Sequence, residues 1–287
     1  MTKKIDKSLL SDGAAVIRGL FDSDAMARIE ELYNYCLAHP SVISQSLGGG
    51  DEFFFNDNTN PDPEVRALTE KALEGQPIGD LLAEVWGSEH VWYLSEETFR
   101  KGSGRSGFRT ALHQDTCYAH YEGEHWVNFW ICLDPVARED SLEVIKGTHL
   151  GPLYDCTAFD PKDPRKPMWG DKIDPPWPLW PDFEADLAQD PNSWEVLSWD
   201  VEPGDVVVCH PHGFHGGAAT GPKTPFRRTI TFRFFGDKSY YKWYPGGGAN
   251  YSAEQEAEQN RQRTDQRRGS GMQPGDLWRS PHFLQLR

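Results

Sequence analysis

The amino-acid sequence predicts a mainly β fold with flanking helices, in which the strands form a sandwich or a jelly-roll barrel. Before residue 90, apolar residues recur at helical spacing; after it, they cluster in short β-branched and aromatic runs bounded by Gly, Pro or Asp. Many short strands in succession are typical of these antiparallel architectures. With 287 residues and 38% hydrophobic residues, the chain is long enough to bury one large core.

The N-terminal region is predicted to hold three helices after one short strand. The strand is Ala14–Leu20, an apolar run that contains a glycine near its end. Asp22 or Ser23 can cap the first helix by accepting hydrogen bonds from its free N–H groups. The predicted helices begin near Asp22, Pro63 and Ile78, and together they occupy about residues 22–86.

A β core is predicted over about residues 90–236, within a single domain of residues 1–251. Its predicted strands are residues 91–94, 98–100, 111–113, 126–133, 142–145, 205–209 and 229–234.

Residues 157–200 interrupt these strands with a segment rich in proline and tryptophan. Proline has no N–H to donate to a sheet, so this segment cannot be a central strand. We expect a lid-like insertion over one mouth of the barrel, because long loops inside compact domains are commonly lids or binding loops. A surface insertion without a role is the alternative. Residues 252–287 are predicted to be a polar C-terminal tail, either a solvated helix or mobile.

The charge balance excludes several classes of protein. The chain has 44 acidic and 29 basic residues, which gives a net charge of -15. Binding to nucleic acid or to an anionic membrane surface needs a basic protein surface, so both classes of protein are excluded.

No apolar run reaches the length of a membrane span, and the N-terminus lacks the apolar part of a signal peptide. We therefore expect a cytoplasmic protein. Its five cysteines form no CxxC pair, which argues against a disulfide framework or a thiolate zinc site.

The most informative motif is His113-Gln114-Asp115, at the end of a predicted strand. Alternate residues of a strand share a face, so His113 and Asp115 can both face the barrel interior. His215 follows another strand and can complete a triangle, with His212 as the alternative third ligand. Two imidazoles and one carboxylate are the ligand set of non-haem Fe(II) oxygenases. A His-x-Asp triplet alone is a weak signal, since ordinary surface residues produce it by chance.

A second element strengthens this interpretation. Arg227 opens a strand twelve residues after His215 and can hold a carboxylate through two parallel hydrogen bonds. Thr229 shares its face and can add a hydroxyl group. Arg228 is the rival, but it shares its face with apolar residues.

Over roughly residues 10 to 235, the sequence resembles the phytanoyl-CoA dioxygenase family of Fe(II)/2-oxoglutarate oxygenases. The resemblance rests on several motifs in the family's order: the segment from Asp12 to Phe21, the His-Gln-Asp triplet, a strand with Trp130, the turn Gly147-Thr148-His149, the strand ending at His215, and the segment from Phe226 to Ile230.

The resemblance implies a double-stranded β-helix with iron on His113, Asp115 and His215. It also implies that Arg227 holds the distal carboxylate of 2-oxoglutarate, with help from Trp130, Gln114 and Thr229. The sequence departs from the family pattern at Asp140-Ser141, at Lys146, and at Gly217, where members often have Ser. Halogenases of this superfamily lack the carboxylate, so Asp115 argues against halogenation.

The expected reaction is oxidation of a C–H bond of a small-molecule metabolite, using Fe(II), 2-oxoglutarate and O2 and releasing succinate and CO2. A non-catalytic jelly-roll binding protein and a zinc-dependent hydrolase are the alternatives. The insertion favours a substrate with an apolar or ring-containing body. The substrate can also be anionic, because basic residues gather on the segments that frame the site: Arg100, Lys101, Arg105, Arg109, Lys223, Arg227, Arg228 and Arg233.

Overall fold

A computed structural model describes residues 4–47, 53–58, 62–102, 107–160, 162–242, 272–281 and 283–287. The helices are α1 (Ser8–Asp12), α2 (Ser23–Ala38), α3 (Pro63–Leu73), α4 (Ile78–Trp86) and α5 (Phe183–Gln189). The strands are β1 (Ala14–Ile17), β2 (Ser44–Leu47), β3 (Phe53–Asp57), β4 (Val91–Lys101), β5 (Tyr121–Gly123), β6 (Trp126–Cys132), β7 (Leu142–Ile145), β8 (Val196–Leu197), β9 (Val206–Cys209), β10 (His215–Gly217), β11 (Arg227–Gly236), β12 (Ser239–Tyr241) and β13 (Leu284–Gln285). Within the described ranges, no helix has both the length and the apolar character needed to cross a bilayer.

A large antiparallel sheet forms the main wall of the fold. Its strands lie in the order β1-β9-β6-β11-β4-β3-β2, and β13 adds to β4 outside this path. One face of the sheet packs against α2, α3 and α4 through apolar residues such as Phe129, Ile230 and Phe232. On β11 the intervening residues Thr229 and Thr231 therefore point away from the helices.

A smaller sheet, in the order β10-β7-β8, provides the second wall. His113 extends it through an isolated bridge to His215 at the start of β10. Two antiparallel sheets with helices on the outer face of the larger one confirm the predicted mainly β fold with a double-stranded β-helix core. The polar motifs predicted from the sequence, such as His113 and the start of β11, lie at the interior between the two sheets.

The helices begin where the sequence supplies caps. Asp22 accepts a hydrogen bond from the Ala25 N–H at 2.9 Å, and Asp62 accepts one from the Val65 N–H at 2.8 Å. Pro63 occupies the first turn of α3, where its missing N–H costs nothing.

Several boundaries differ from the prediction. The two strands expected at residues 91–94 and 98–100 are one strand, β4, in which the intervening Ser95 and Glu96 are buried instead of forming a turn. The strand expected at residues 111–113 forms only the bridge at His113. The hairpin of β2 and β3 was not predicted.

The proline- and tryptophan-rich insertion is ordered by packing against the small sheet. Trp169, Trp180 and Phe183 are buried in one apolar cluster with Leu112 and Phe214, which flank two of the candidate ligands. The insertion also contains α5 and β8. It is thus built onto the segments that carry the metal motif, and its role as a lid stays a prediction.

The end of the predicted polar tail packs onto the fold instead of lying in solvent. Trp278 is 1% exposed and contacts the rings of Tyr121, Trp126 and Phe283. Strand β13 pairs with β4 at Tyr93. Burial of these aromatic rings outweighs the polar composition around them. Residues 252–271 lie outside the described part of the chain.

Candidate metal centre

The candidate centre begins with two histidines that the backbone holds side by side. The His113 N–H donates to the His215 carbonyl at 3.0 Å, and the His215 N–H donates to the His113 carbonyl at 3.1 Å. Their rings lie with centroids 4.6 Å apart. The bridge between the 111–113 segment and β10 therefore brings together two histidines that lie about a hundred residues apart in the sequence.

Both imidazoles are oriented by main-chain carbonyls. His113 Nδ1 lies 2.8 Å from the Ala111 carbonyl, and His215 Nδ1 lies 2.9 Å from the Gly213 carbonyl. A carbonyl only accepts, so each Nδ1 carries the proton and donates, and each Nε2 keeps a free lone pair. Burial lowers the pKa of His215 to about 4, against the opposing charge of Asp115. His215 is thus neutral at neutral pH, which is the form that binds metals.

Asp115 stands between the two imidazoles. Its Oδ1 lies 3.4 Å from His113 Nε2 and 3.6 Å from His215 Nε2. The potential ligand atoms of all three residues lie within 4.8 Å of one another. The main-chain N–H of Asp115 donates to the Pro211 carbonyl at 2.8 Å, which anchors the aspartate to the chain that leads into β10.

A ring of polar contacts fixes the Asp115 carboxylate. Tyr118 Oη donates to Oδ1 at 2.6 Å, while Asn128 Nδ2 and Arg233 Nη2 lie 2.8 and 3.3 Å from Oδ2. Burial by itself raises the pKa of Asp115, but His215, Arg233 and His113 together lower it well below its usual value. The carboxylate is therefore ionised, as a metal ligand must be.

Arg233 connects this carboxylate to a second buried one. Its Nη2 also lies 2.8 Å from Glu97 Oε2 on the neighbouring strand β4. Burial raises the pKa of Glu97 to about 7, and the Arg233 charge opposes this rise. Arg233 thus stands between two acidic groups beneath the candidate centre. Sequence reasoning placed Arg233 only in a basic patch; its position on the face of Arg227 and Thr229 was the available signal.

The structure distinguishes the rival histidines. Both ring nitrogens of His212 are engaged, Nδ1 with Thr116 Oγ1 at 2.7 Å and Nε2 with the Gly151 carbonyl at 3.1 Å. His210 Nε2 lies 3.2 Å from the Gly123 carbonyl. Among the described residues, the triangle of potential ligands is His113, Asp115 and His215. Two imidazoles that present Nε2 and one ionised carboxylate fit a divalent transition metal such as Fe(II).

The structure also separates the two arginines that open β11. Arg228 forms ion pairs with Asp134 at 2.8 Å and with Glu30 at 2.6 Å on the helix side of the sheet. Arg227 points the other way and is 3% exposed. Its Nη1 donates to the Asp140 carbonyl and its Nη2 to the Ala218 carbonyl, the latter at 3.2 Å. Arg227 therefore lies on the interior side, as the strand alternation predicts.

The other predicted co-substrate residues take different positions. The Trp130 ring lies 5.7 Å from the Arg227 guanidinium, and Thr229 is 3% exposed on the same face of β11. Gln114 has its amide engaged with main-chain groups: Nε2 donates to the Pro152 and His212 carbonyls, and Oε1 accepts from the Tyr154 N–H at 3.0 Å. These contacts tie the segment that precedes the insertion, and the chain that leads into β10, to the metal motif.

One aromatic residue of the insertion lies against the candidate ligands. The Phe159 ring meets the His113 ring edge-on at 5.0 Å and the Tyr118 ring at 6.3 Å. Phe159 has a φ of 54°, and its N–H donates to Thr157 Oγ1 at 2.9 Å. A positive φ in a bulky residue costs energy and is found preferentially at functional sites. Phe159 is 40% exposed, and nothing in the local sequence indicated its position.

Comparison with known proteins accounts for this arrangement. The sequence profile of the phytanoyl-CoA dioxygenase (PhyH) family matches residues 9–229. The chain belongs to this family. A comparison with curated proteins found no significant match. Membership in the PhyH family confirms the resemblance that the sequence motifs indicated.

Solved structures share the fold of this PhyH protein at low sequence identity. The α-ketoglutarate-dependent carbocyclase SnoK from nogalamycin biosynthesis is 17% identical with a TM-score of 0.64, covering 98% of this chain and 95% of SnoK. The epimerase SnoN from the same biosynthesis is 16% identical with a TM-score of 0.62, covering 98% and 93%. EctD from S. alaskensis is 15% identical with a TM-score of 0.56, covering 82% and 77%.

Proposed function

We propose that this protein is a non-haem Fe(II)- and 2-oxoglutarate-dependent dioxygenase. It oxidises a C–H bond of a small-molecule metabolite, by hydroxylation or a related outcome, and releases succinate and CO2. The observation that carries the proposal is the triangle of His113, Asp115 and His215, whose potential ligand atoms lie within 4.8 Å of one another. Membership in the PhyH family supports the same function.

In this proposal His113, Asp115 and His215 hold the iron. Bound iron supplies activation of O2, which no side chain can do. The protein residues supply position and charge: the Ala111 and Gly213 carbonyls accept from Nδ1 of the two histidines and so turn each Nε2 towards the metal, and Arg233 helps to keep Asp115 ionised. Three protein ligands leave positions on the metal for a chelating co-substrate and for O2.

The co-substrate is proposed to bind with its distal carboxylate at Arg227. Solved proteins of this fold support 2-oxoglutarate as the co-substrate: SnoN was crystallised with Fe3+, α-ketoglutarate and nogalamycin RO, and EctD with 2-oxoglutarate and 5-hydroxyectoine. Trp130 and Thr229 would line this pocket beside the guanidinium. Gln114 would act by holding the segment before the insertion on the metal motif, since its amide contacts the main chain of Pro152 and Tyr154.

We further propose that the substrate presents an apolar or ring-containing surface to Phe159. This residue is the large apolar side chain that the insertion places against a candidate ligand, and it keeps 40% of its surface exposed. Covering the remaining surface with an apolar group is favourable at about 25 cal/mol per Å². The insertion would then exclude water from the reaction as a lid. A cytoplasmic location remains a prediction from the sequence.

The test of the function is succinate release. Purified protein with Fe(II), 2-oxoglutarate and O2 is incubated with a panel of metabolites, and succinate is measured with and without each compound. We expect slow succinate release without substrate, stimulation by a substrate, and loss of both in Asp115→Ala. Equal succinate release from wild type and from Asp115→Ala would contradict the proposal. Hydrolysis of a panel compound with Zn(II) and without 2-oxoglutarate would instead favour the hydrolase.

A further inference from the structure

The basic residues that frame the site differ in how their charges are balanced. Four of them form ion pairs with carboxylates: Arg109 with Glu143 and Glu184, Lys223 with Glu139, Arg228 with Asp134 and Glu30, and Arg233 with Glu97 and Asp115. Arg105 lies outside the described residues, and Arg100 has further contacts. Among the described residues, no carboxylate lies within ion-pair distance of Lys101 or Arg227.

Lys101 and Arg227 are buried neighbours. Lys101 is 4% exposed and Arg227 3%, and the two are directly paired in the register of β4 and β11. Like charges opposite each other on a sheet repel, and a buried charge without a counter-ion is costly. Burial, and then the charge of Arg227, lower the pKa of Lys101 to about 7. The register thus places two basic groups side by side inside the protein, and an anion between them would favour the charged form of Lys101.

Among the residues that the structure describes, no anion contacts this pair of basic groups. Lys101 Nζ donates to the Phe108 carbonyl at 3.1 Å and to Thr110 Oγ1 at 2.5 Å, and an ammonium has a third donor. Arg227 donates to the Asp140 and Ala218 carbonyls, which are neutral acceptors. The Asp140 and Glu143 carboxylates act on Arg227 only from beyond ion-pair distance. A carboxylate placed between the two cations would supply the missing charge.

The two cations face the candidate metal centre. On β10, His215 and Gly217 point to the same face because they are two residues apart. A Cβ at Gly217 would lie 2.7 Å from Arg227 Nη2 and 3.7 Å from Lys101 Nζ. Two residues along a strand span about 6.7 Å. This separation suits a short dicarboxylate that chelates a metal at one end and reaches both cations at the other.

We propose that Lys101 binds the distal carboxylate of the co-substrate together with Arg227, so that two cations from adjacent strands hold one carboxylate. The proposal rests on the proposed 2-oxoglutarate-dependent function. Gly217 has a part in it, because the absence of a side chain there keeps the space in front of both cations open. Lys101 would thereby select a 2-oxo acid with a second carboxylate over one without.

The experiment compares two ligands on the Fe(II)-loaded protein under anaerobic conditions. 2-Oxoglutarate has the distal carboxylate, and 2-oxobutyrate does not, while both chelate a metal in the same way. Binding is followed by the visible charge-transfer absorbance and by calorimetry. We expect Lys101→Met to raise the Kd of 2-oxoglutarate about tenfold to a hundredfold, the range for a hydrogen bond to a charged group, and to leave 2-oxobutyrate unchanged.

A second variant of Lys101 and a control variant of Arg109 complete the test. Lys101→Gln keeps donor groups for the Phe108 and Thr110 acceptors but removes the charge, so it should show the same selective loss even if the Met variant folds poorly. Arg109→Met removes an ion-paired cation of the same segment and should leave both ligands unaffected. Unchanged binding of 2-oxoglutarate in the Lys101 variants, or equal weakening of both ligands, would overturn the role of Lys101. Failure of the wild type to bind either ligand would overturn the proposed function as well.

Discussion

His113 and His215 exchange both of their main-chain hydrogen bonds, at 3.0 and 3.1 Å, and so form a hydrogen-bonded pair of an antiparallel ladder. This pairing places two side chains from distant parts of the sequence on one face with their rings 4.6 Å apart. Backbone hydrogen bonds set the pairing of the two residues, and the Ala111 and Gly213 carbonyls orient their rings. The site is thus preorganised by the small sheet.

Replacing Arg233 tests whether the residues beneath Asp115 tune metal binding. Arg233→Met removes the cation that contacts both Asp115 and Glu97, so the Asp115 carboxylate loses a group that holds its Oδ2 in place and lowers the pKa of Asp115. We expect the Kd for Mn(II) or Fe(II) to rise about tenfold to a hundredfold, as for other residues that support metal ligands. Isothermal calorimetry on the folded variant measures this change.

The matched control for Arg233 lies on the same strand. Arg228→Met removes an arginine that pairs with Asp134 and Glu30 on the opposite face, so its metal affinity should equal that of the wild type. Arg233→Lys keeps the charge and should fall between the two. If Arg233→Met and Arg228→Met bind metal equally well, Arg233 does not support Asp115.

Phe159 tests the proposed substrate surface. For any compound that stimulates succinate release, Phe159→Ala should lower kcat/KM about tenfold, because an aromatic contact to the substrate is lost. Succinate release without substrate should persist, since the ligands are intact. Leu10→Ala on α1, where Leu10 is 44% exposed, is the control of similar exposure and should change neither rate. A Phe159→Ala variant with unaltered kcat/KM would contradict a substrate contact.

Trp278 tests whether the end of the chain is part of the core. Its ring is 1% exposed among other aromatic rings, so Trp278→Ala should lower the free energy of unfolding by about 3–5 kcal/mol. The adjacent Leu277 is 52% exposed, and Leu277→Ala should have an effect of about 0.5 kcal/mol or less. Urea unfolding followed by fluorescence and circular dichroism measures both. Equal stabilities of the two variants would mean that the C-terminal segment does not contribute to the core.

Glu96 should make stability depend on pH. This residue is fully buried on β4, and burial raises its pKa to about 8 from an ordinary value of 4.5. Between these values the folded state binds one proton more than the unfolded state, so the contribution is complete below about pH 4.5 and is lost as pH rises through 8. Glu96→Gln stays neutral, so from pH 5 to 8.5 its free energy of unfolding should improve relative to wild type by about 4 kcal/mol.

Urea unfolding of wild type and Glu96→Gln at several pH values gives this comparison. The Tyr93 hydroxyl, which donates to Glu96, can also donate to the amide oxygen of Gln, so the variant keeps this contact. Parallel loss of stability in both proteins would show that Glu96 is not the group responsible.

The candidate ligands could be predicted from sequence because they are local signals. His113 and Asp115 are two residues apart, and His215 follows a strong strand pattern, so periodicity allowed a shared interior face, and the family motifs then selected these three residues. Periodicity also separated Arg227 from Arg228 on β11. The rejection of His212 needed the structure, since it depends on contacts with Thr116 and the Gly151 carbonyl.

The remaining features depend on long-range pairing. The contact of Arg233 with Glu97 follows from the register of β11 on β4, which no local pattern fixes. The same holds for the pairing of Lys101 with Arg227. Phe159 depends on a turn within a proline-rich insertion, and Trp278 is an isolated aromatic in polar surroundings. Neither carries a period that predicts burial or contact.

The central claim is that His113, Asp115 and His215 bind Fe(II) in a form that 2-oxoglutarate chelates. Anaerobic addition of Fe(II) and then 2-oxoglutarate to the wild type and to Asp115→Ala, followed by visible absorption spectroscopy, tests it most directly. We predict a weak charge-transfer band in the wild type that saturates at one 2-oxoglutarate per protein and is absent from Asp115→Ala. No band in the wild type, or the same band in both proteins, would contradict the claim.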